Sequence, residues 1–164
     1  MGSAMKIVSY LPITLLFISN LALPADFSDD ELIEIANEMN KTMPRVMDQF
    51  TVAKNVNAIP GLYLNYIYEI DIEEVITAAA QQNNTTVDEL KIRLVSNFGS
   101  IDNFAKTAID QLSIGAKNQY CTTPDDAELE PRYLAEKGVT TVHKFYNKNG
   151  IFVGSYSFDK NTCG

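Results

Sequence analysis

The side chains that could do chemistry are few. His143 is the only histidine in 164 residues. It could act as a general base or a metal ligand, but a zinc site needs further histidines or cysteines at short spacing, and none stand near it. It lies in the apolar run Val139–Tyr146, where a surface strand position is expected. Asp71, Glu73 and Glu74 form an acidic cluster that could divide acid and base roles if burial separated their pKa values. The cluster falls where a strand hands over to a helix, and acidic residues suit a first helical turn because they complement its dipole. Asp29, Asp30 and Glu31 have the same explanation. Asp125, Asp126, Glu128 and Glu130 lack the glycine and the spacing of an EF-hand loop.

Cys121 and Cys163 are the only two cysteines. An even count behind an export signal reads as a disulfide. The bridge would close a loop of about 43 residues, which stabilises by about 4 kcal/mol in the chain-entropy treatment. The Cys-x-x-Cys spacing of thiol oxidoreductases is absent, as are a Gly-rich phosphate loop and a Gly-x-Ser-x-Gly elbow. No catalytic set, metal site or cofactor is assigned. Tyr63, Tyr66, Tyr68, Tyr146 and Tyr156 are the remaining candidates. Tyrosine offers a large, rigid, amphipathic contact surface and is enriched at interfaces.

Compartment is read from the first 25 residues. Lys6 precedes the apolar stretch Leu11–Ile18, and Ser19 to Ala25 forms a small-residue exit, the layout of a signal peptide. Residues 1–4 read as a cloning remnant before a native Met5. An apolar core of about 8 residues is too short for a bilayer, which needs about 20. Cleavage is expected after Ala25, with Ala22 the alternative because Leu23 is large for its place. No cysteine follows the stretch, so a lipid anchor is not expected. Residues 26–164 then form one domain, periplasmic or secreted, with no stable membrane anchor. The net charge of −8 argues against nucleic acid and anionic lipid as partners and leaves another protein as the expected one.

These residues are positioned by elements legible as patterns. Ser28-Asp29-Asp30-Glu31 and Thr86-Val87-Asp88-Glu89 are capping boxes, each opening an amphipathic helix. Leu32, Ile35, Ala36 and Met39 carry the first helix, and Pro44 ends it. Ile72, Val75, Ile76 and Ala79 mark a second helix, and Leu90, Leu94 and Phe98 a third. A further helix runs from a Ser100 cap through Phe104, Ala105, Ala108 and Ile109 to Leu112. Thr123-Pro124 reads as a cap with a first-turn proline, and Pro131–Lys137 as a short helix ended by Gly138.

Two hairpins flank the helices. In the first, Val52, Val56 and Ala58 alternate with Ala53, Asn55 and Asn57, then Leu62, Leu64, Tyr66, Tyr68 and Ile70 share one face, with Pro60-Gly61 as the turn. In the second, Val139–Tyr146 and Ile151–Phe158 are joined by Asn147-Lys148-Asn149-Gly150. The expected fold is α+β: an antiparallel sheet of about four strands from two hairpins, covered by three to five helices and closed by one disulfide.

Asn40-Lys41-Thr42-Met43-Pro44-Arg45-Val46-Met47-Asp48, then Leu64-Asn65-Tyr66-Ile67-Tyr68, Cys121-Thr122-Thr123-Pro124, Gly138-Val139 and Tyr146-Asn147-Lys148-Asn149-Gly150 resemble a group of small, uncharacterised exported proteins of gammaproteobacteria. The resemblance implies fold and periplasm and carries no activity. The layout also suggests immunity proteins against peptidoglycan-cleaving toxins, and secretion-system pilotins, with no motif match to either. The expected function is a non-catalytic binding or inhibitor protein that recognises another protein. The alternatives are a small hydrolase using a carboxylate pair or His143, and an envelope or secretion-system accessory.

Overall fold

A computed structural model describes residues 27–122 and 131–163. The segment expected to be a signal peptide, the expected Thr123-Pro124 cap and the acidic stretch 125–130 lie outside the described residues. The elements run α1 (Asp29–Asn40), β1 (Arg45–Val46), β2 (Thr51–Ile59), β3 (Tyr63–Ile70), α2 (Ile72–Gln82), α3 (Val87–Phe98), α4 (Ile101–Thr122), α5 (Pro131–Glu136), β4 (Thr140–Asn147) and β5 (Phe152–Phe158). Both capping boxes form: Ser28 and Glu31 satisfy each other's orphan amides, and so do Thr86 and Glu89.

The sheet has five strands in the order β1-β2-β3-β4-β5, one more than the expected four. The addition is β1, two residues that pair antiparallel with Val52 and Ala53. The sheet is also not antiparallel throughout. The two hairpins meet through β3 and β4, which run parallel in unbroken register from Tyr63↔Thr140 to Ile70↔Asn147. Parallel neighbours need a long crossover, and here it holds α2, α3, α4 and α5.

A β-bulge at Lys54 changes the reading of β2. Strict alternation puts Ala53 opposite Val56. The extra residue instead turns both inward, at 4% and 0% exposure. Helix α4 also runs past Leu112 for another ten residues, to Thr122. Gly115 does not stop it, because a lone glycine costs a helix only about 1 kcal/mol. The extension places Cys121 in its last turn, bonded to Cys163 beyond β5.

The helices α1, α4 and α5 pack on one face of the sheet. From α1, Leu32, Ile35, Ala36 and Met39 meet Val56 and Leu64, with Leu134 of α5 and Val139 completing the cluster. Ala116 and Tyr120 of α4 meet Ala135 and Phe158. Helices α2, α3 and the start of α4 share a separate core built on Ile76, Leu90, Leu94 and Phe104. Helix α4 lies close to β5 at Gly154, where an added Cβ would stand 3.2 Å from Ile109 Cγ2.

Two side chains hold α1 to the first hairpin. Asp29 accepts from the amides of Gly61 (3.0 Å) and Leu62 (2.9 Å) in the turn. Both residues have positive φ, a strained setting for Leu62 that the carboxylate contact offsets. Asn40, the last residue of α1, uses its amide as a surrogate strand against β2. It donates to the Val56 carbonyl and accepts from the Val56 amide, each at 2.7 Å. The β1 strand reaches only Val52 and Ala53, so Asn40 supplies the edge bonds that β1 is too short to make.

Replacing Asn40 by Ala leaves two part-buried backbone groups unpaired and is expected to cost about 1–3 kcal/mol in urea unfolding. Gly154→Ala is expected to cost about 1–3 kcal/mol by overpacking against Ile109, read in the same assay.

Candidate functional site

Parallel register places like-facing residues of β3 and β4 side by side. Tyr66 stands opposite His143, and His143 opposite Tyr156 on β5. The three rings stack across the sheet, with centroids 4.9 Å apart from Tyr66 to His143 and 4.8 Å from His143 to Tyr156. These separations match the spacing of neighbouring strands, so the sheet itself sets the stack. One step along, Tyr68 stacks on Phe145 at 4.9 Å, and its hydroxyl lies 3.1 Å from His143 Nδ1.

His143 is therefore interior, at 2% exposure, and not the surface strand residue expected from the sequence. The run Thr141, His143, Phe145 faces the helices, and two polar members of an apolar face look like a solvent-facing set when read by type alone. Burial holds the imidazole neutral, pushing its pKa down to about 3 from 6.5. Burial also raises the phenols of Tyr66, Tyr68 and Tyr156, so they stay protonated donors.

The acidic cluster is occupied structurally. Asp71 caps α2, accepting from the Glu74 amide at 3.2 Å. It also pairs with Lys148 in the β4–β5 turn, a contact that holds its carboxyl below the ordinary range. That pairing follows from the parallel register, which brings the C-terminal ends of β3 and β4 together. Glu73 is exposed and pairs with Lys91 of α3 at 2.6 Å.

The five candidate tyrosines are split between the two faces. Tyr66, Tyr68 and Tyr156 face the helices around His143. Tyr63 and Tyr146 face the other way, on the side to which no described helix packs. Six residues of register separate them along parallel strands, about 20 Å at 3.3 Å per residue. Each has an apolar companion that sequence reading did not select. Ile59 (43% exposed) pairs across from Tyr63 (44%), and Phe152 (53%) meets the Tyr146 ring edge-on at 5.6 Å. Phe152 is not legible as the partner of Tyr146 from alternation: the register Phe145↔Gly154 would put Val153 there, and a bulge between Phe145 and Tyr146 puts Phe152 there instead. Between the two ends lie Ile67, Val142 and Lys144, with the Lys54–Glu69 ion pair at one side.

Among the described residues no group of three or more His, Cys, Asp or Glu side chains is placed to hold a metal. No described helix is long and apolar enough to cross a membrane.

The titration of His143 gives a direct test. Unfolded, it takes up a proton near 6.5; folded, only near 3. Between these values the unfolded chain binds more protons, so stability is full above the upper value and falls as pH drops. Going from about pH 7.5 to about pH 5 is expected to remove about 2 kcal/mol through this residue, measured by urea unfolding. His143→Phe should abolish that part of the pH dependence.

No protein-family model and no curated protein matches the sequence. Solved structures do share its fold. A Pseudomonas aeruginosa protein described as secreted aligns over 86% of this chain and 100% of its own, with 16% identity and a TM-score of 0.50. EpsS, the pilotin of the Vibrio vulnificus type 2 secretion system, aligns over 83% of this chain and 91% of its own, with 10% identity and a TM-score of 0.51. At such identities the likeness shows fold.

Proposed function

We propose that this chain is a non-catalytic periplasmic protein that binds another protein, in an accessory role of the cell envelope or of a secretion system. The observation that carries the reading is the apolar pairing on the face to which no described helix packs: exposed Ile59 with exposed Tyr63, and half-buried Tyr146 with exposed Phe152. Exposed aromatic residues rimmed by polar ones are the usual anchors of protein recognition. The two ends of the face are separated by mixed apolar and charged side chains, which suits an extended contact over the sheet better than a small-molecule pocket.

The accessory role draws support from the shared fold with the pilotin EpsS. Export to the periplasm agrees with the disulfide, which persists in an oxidising space, and with the secreted protein of similar fold. The hydrolase alternative loses its two candidate groups to structural work. His143 is shut inside the aromatic stack, and Asp71 caps α2 and pairs with Lys148.

The test is capture from the periplasmic extract of a gammaproteobacterium, with the purified, oxidised protein as bait. Tyr146→Ala and Phe152→Ser are expected to weaken a captured partner by tenfold or more, as about 1.4 kcal/mol at an interface anchor implies. Ile92→Ser, on the exposed side of α3, serves as the control and should leave binding unchanged. Retention by both sheet variants with loss in the α3 control would overturn the sheet-face assignment.

A further inference from the structure

Among the described residues two buried side-chain atoms have no hydrogen-bond partner from the protein: Thr141 Oγ1 and His143 Nε2. Their residues are 0% and 2% exposed. These residues are two apart on β4, so they share the helix-facing side, with Cα atoms about 6.6 Å apart along the strand. By register, Thr141 is flanked by Leu64 and Phe158, and His143 by Tyr66 and Tyr156. Apolar and aromatic walls thus close both sides of the pair.

Burying one such group without a partner costs about 1–3 kcal/mol, and two on the same face of one strand are costlier still. The Tyr68 hydroxyl occupies the imidazole's other nitrogen. With Tyr68 donating to Nδ1, the neutral ring carries its hydrogen on Nε2 and presents a donor there. The threonine hydroxyl both donates and accepts.

We infer that Thr141 and His143 together bind one buried water molecule, which bridges their side chains beneath the helices. The water accepts from His143 Nε2–H and donates to Thr141 Oγ1, at about 2.7–3.0 Å each. Two polar partners are the minimum that retains an interior water. This assignment fixes the imidazole tautomer and gives the threonine a reason to stand in an otherwise apolar row. It is independent of whether the opposite face binds a protein.

The experiment is a high-resolution crystal structure of the oxidised protein, paired with unfolding of Thr141→Val and Thr141→Ser. Density within hydrogen-bond distance of both atoms supports the inference. A dry contact, or a water touching only one of them, overturns it. Valine has the shape of threonine, so the sign of its effect discriminates. If a water is held, Thr141→Val strands the imidazole and is expected to lower the folded-to-unfolded ratio about five- to tenfold, while Thr141→Ser stays closer to the parent. If the site is dry, Thr141→Val removes an unpaired hydroxyl and raises the ratio, which overturns the inference.

Discussion

The parallel pairing of β3 with β4 is the constraint on which most of the molecule rests. Two hairpins that are local in sequence are joined into one sheet by a register that neither contains. That register puts Tyr66 beside His143 and so creates the stacked rings in the sheet's centre. It also brings the ends of the two strands together, which is why Asp71, at the head of α2, reaches Lys148 in the second turn. Because the strands run the same way, Tyr63 and Tyr146 fall at opposite ends of the other face.

The crossover that permits this pairing must be tied back to the sheet. Helix α4 does so at two points. Midway, Ile109 lies against Gly154, where the missing side chain lets helix and strand approach. At its end, Tyr120 stacks on Phe158 at 4.7 Å, and the next residue, Cys121, is bonded to Cys163. Packing and covalent closure act on the same corner, holding the segment after β5 against the last turn of a helix, with the two cysteines 42 residues apart in sequence. At the other edge the ties are polar: Asp29 on the hairpin turn and Asn40 on β2.

The two faces of the sheet divide the aromatic residues between the packed interior and the surface. On the helix-covered face His143, Phe145 and Phe158 are interior with the half-buried Tyr66, Tyr68 and Tyr156 around them, and desolvation holds the imidazole and the phenols in their neutral forms. On the other, Ile59, Tyr63 and Phe152 keep large exposed surfaces. A tyrosine's place in the alternation of its strand, and not its type, decides on which of the two faces it stands.

Local chemistry was legible in the sequence because it depends on residues a few positions apart. The capping boxes at Ser28 and Thr86, the helical stripe of α1, the turn at Asn147–Gly150 and the pairing of the only two cysteines all belong to this class. What tertiary structure alone decided is non-local. The bulge at Lys54 reversed the facing of Ala53, the parallel register set which rings meet, and the full length of α4 brought Cys121 into helix. His143 shows why. Its alternation on β4 is plain, but which face lies under the helices depends on how two hairpins dock, and that is settled by burial summed over the whole sheet and not by the type of any one side chain.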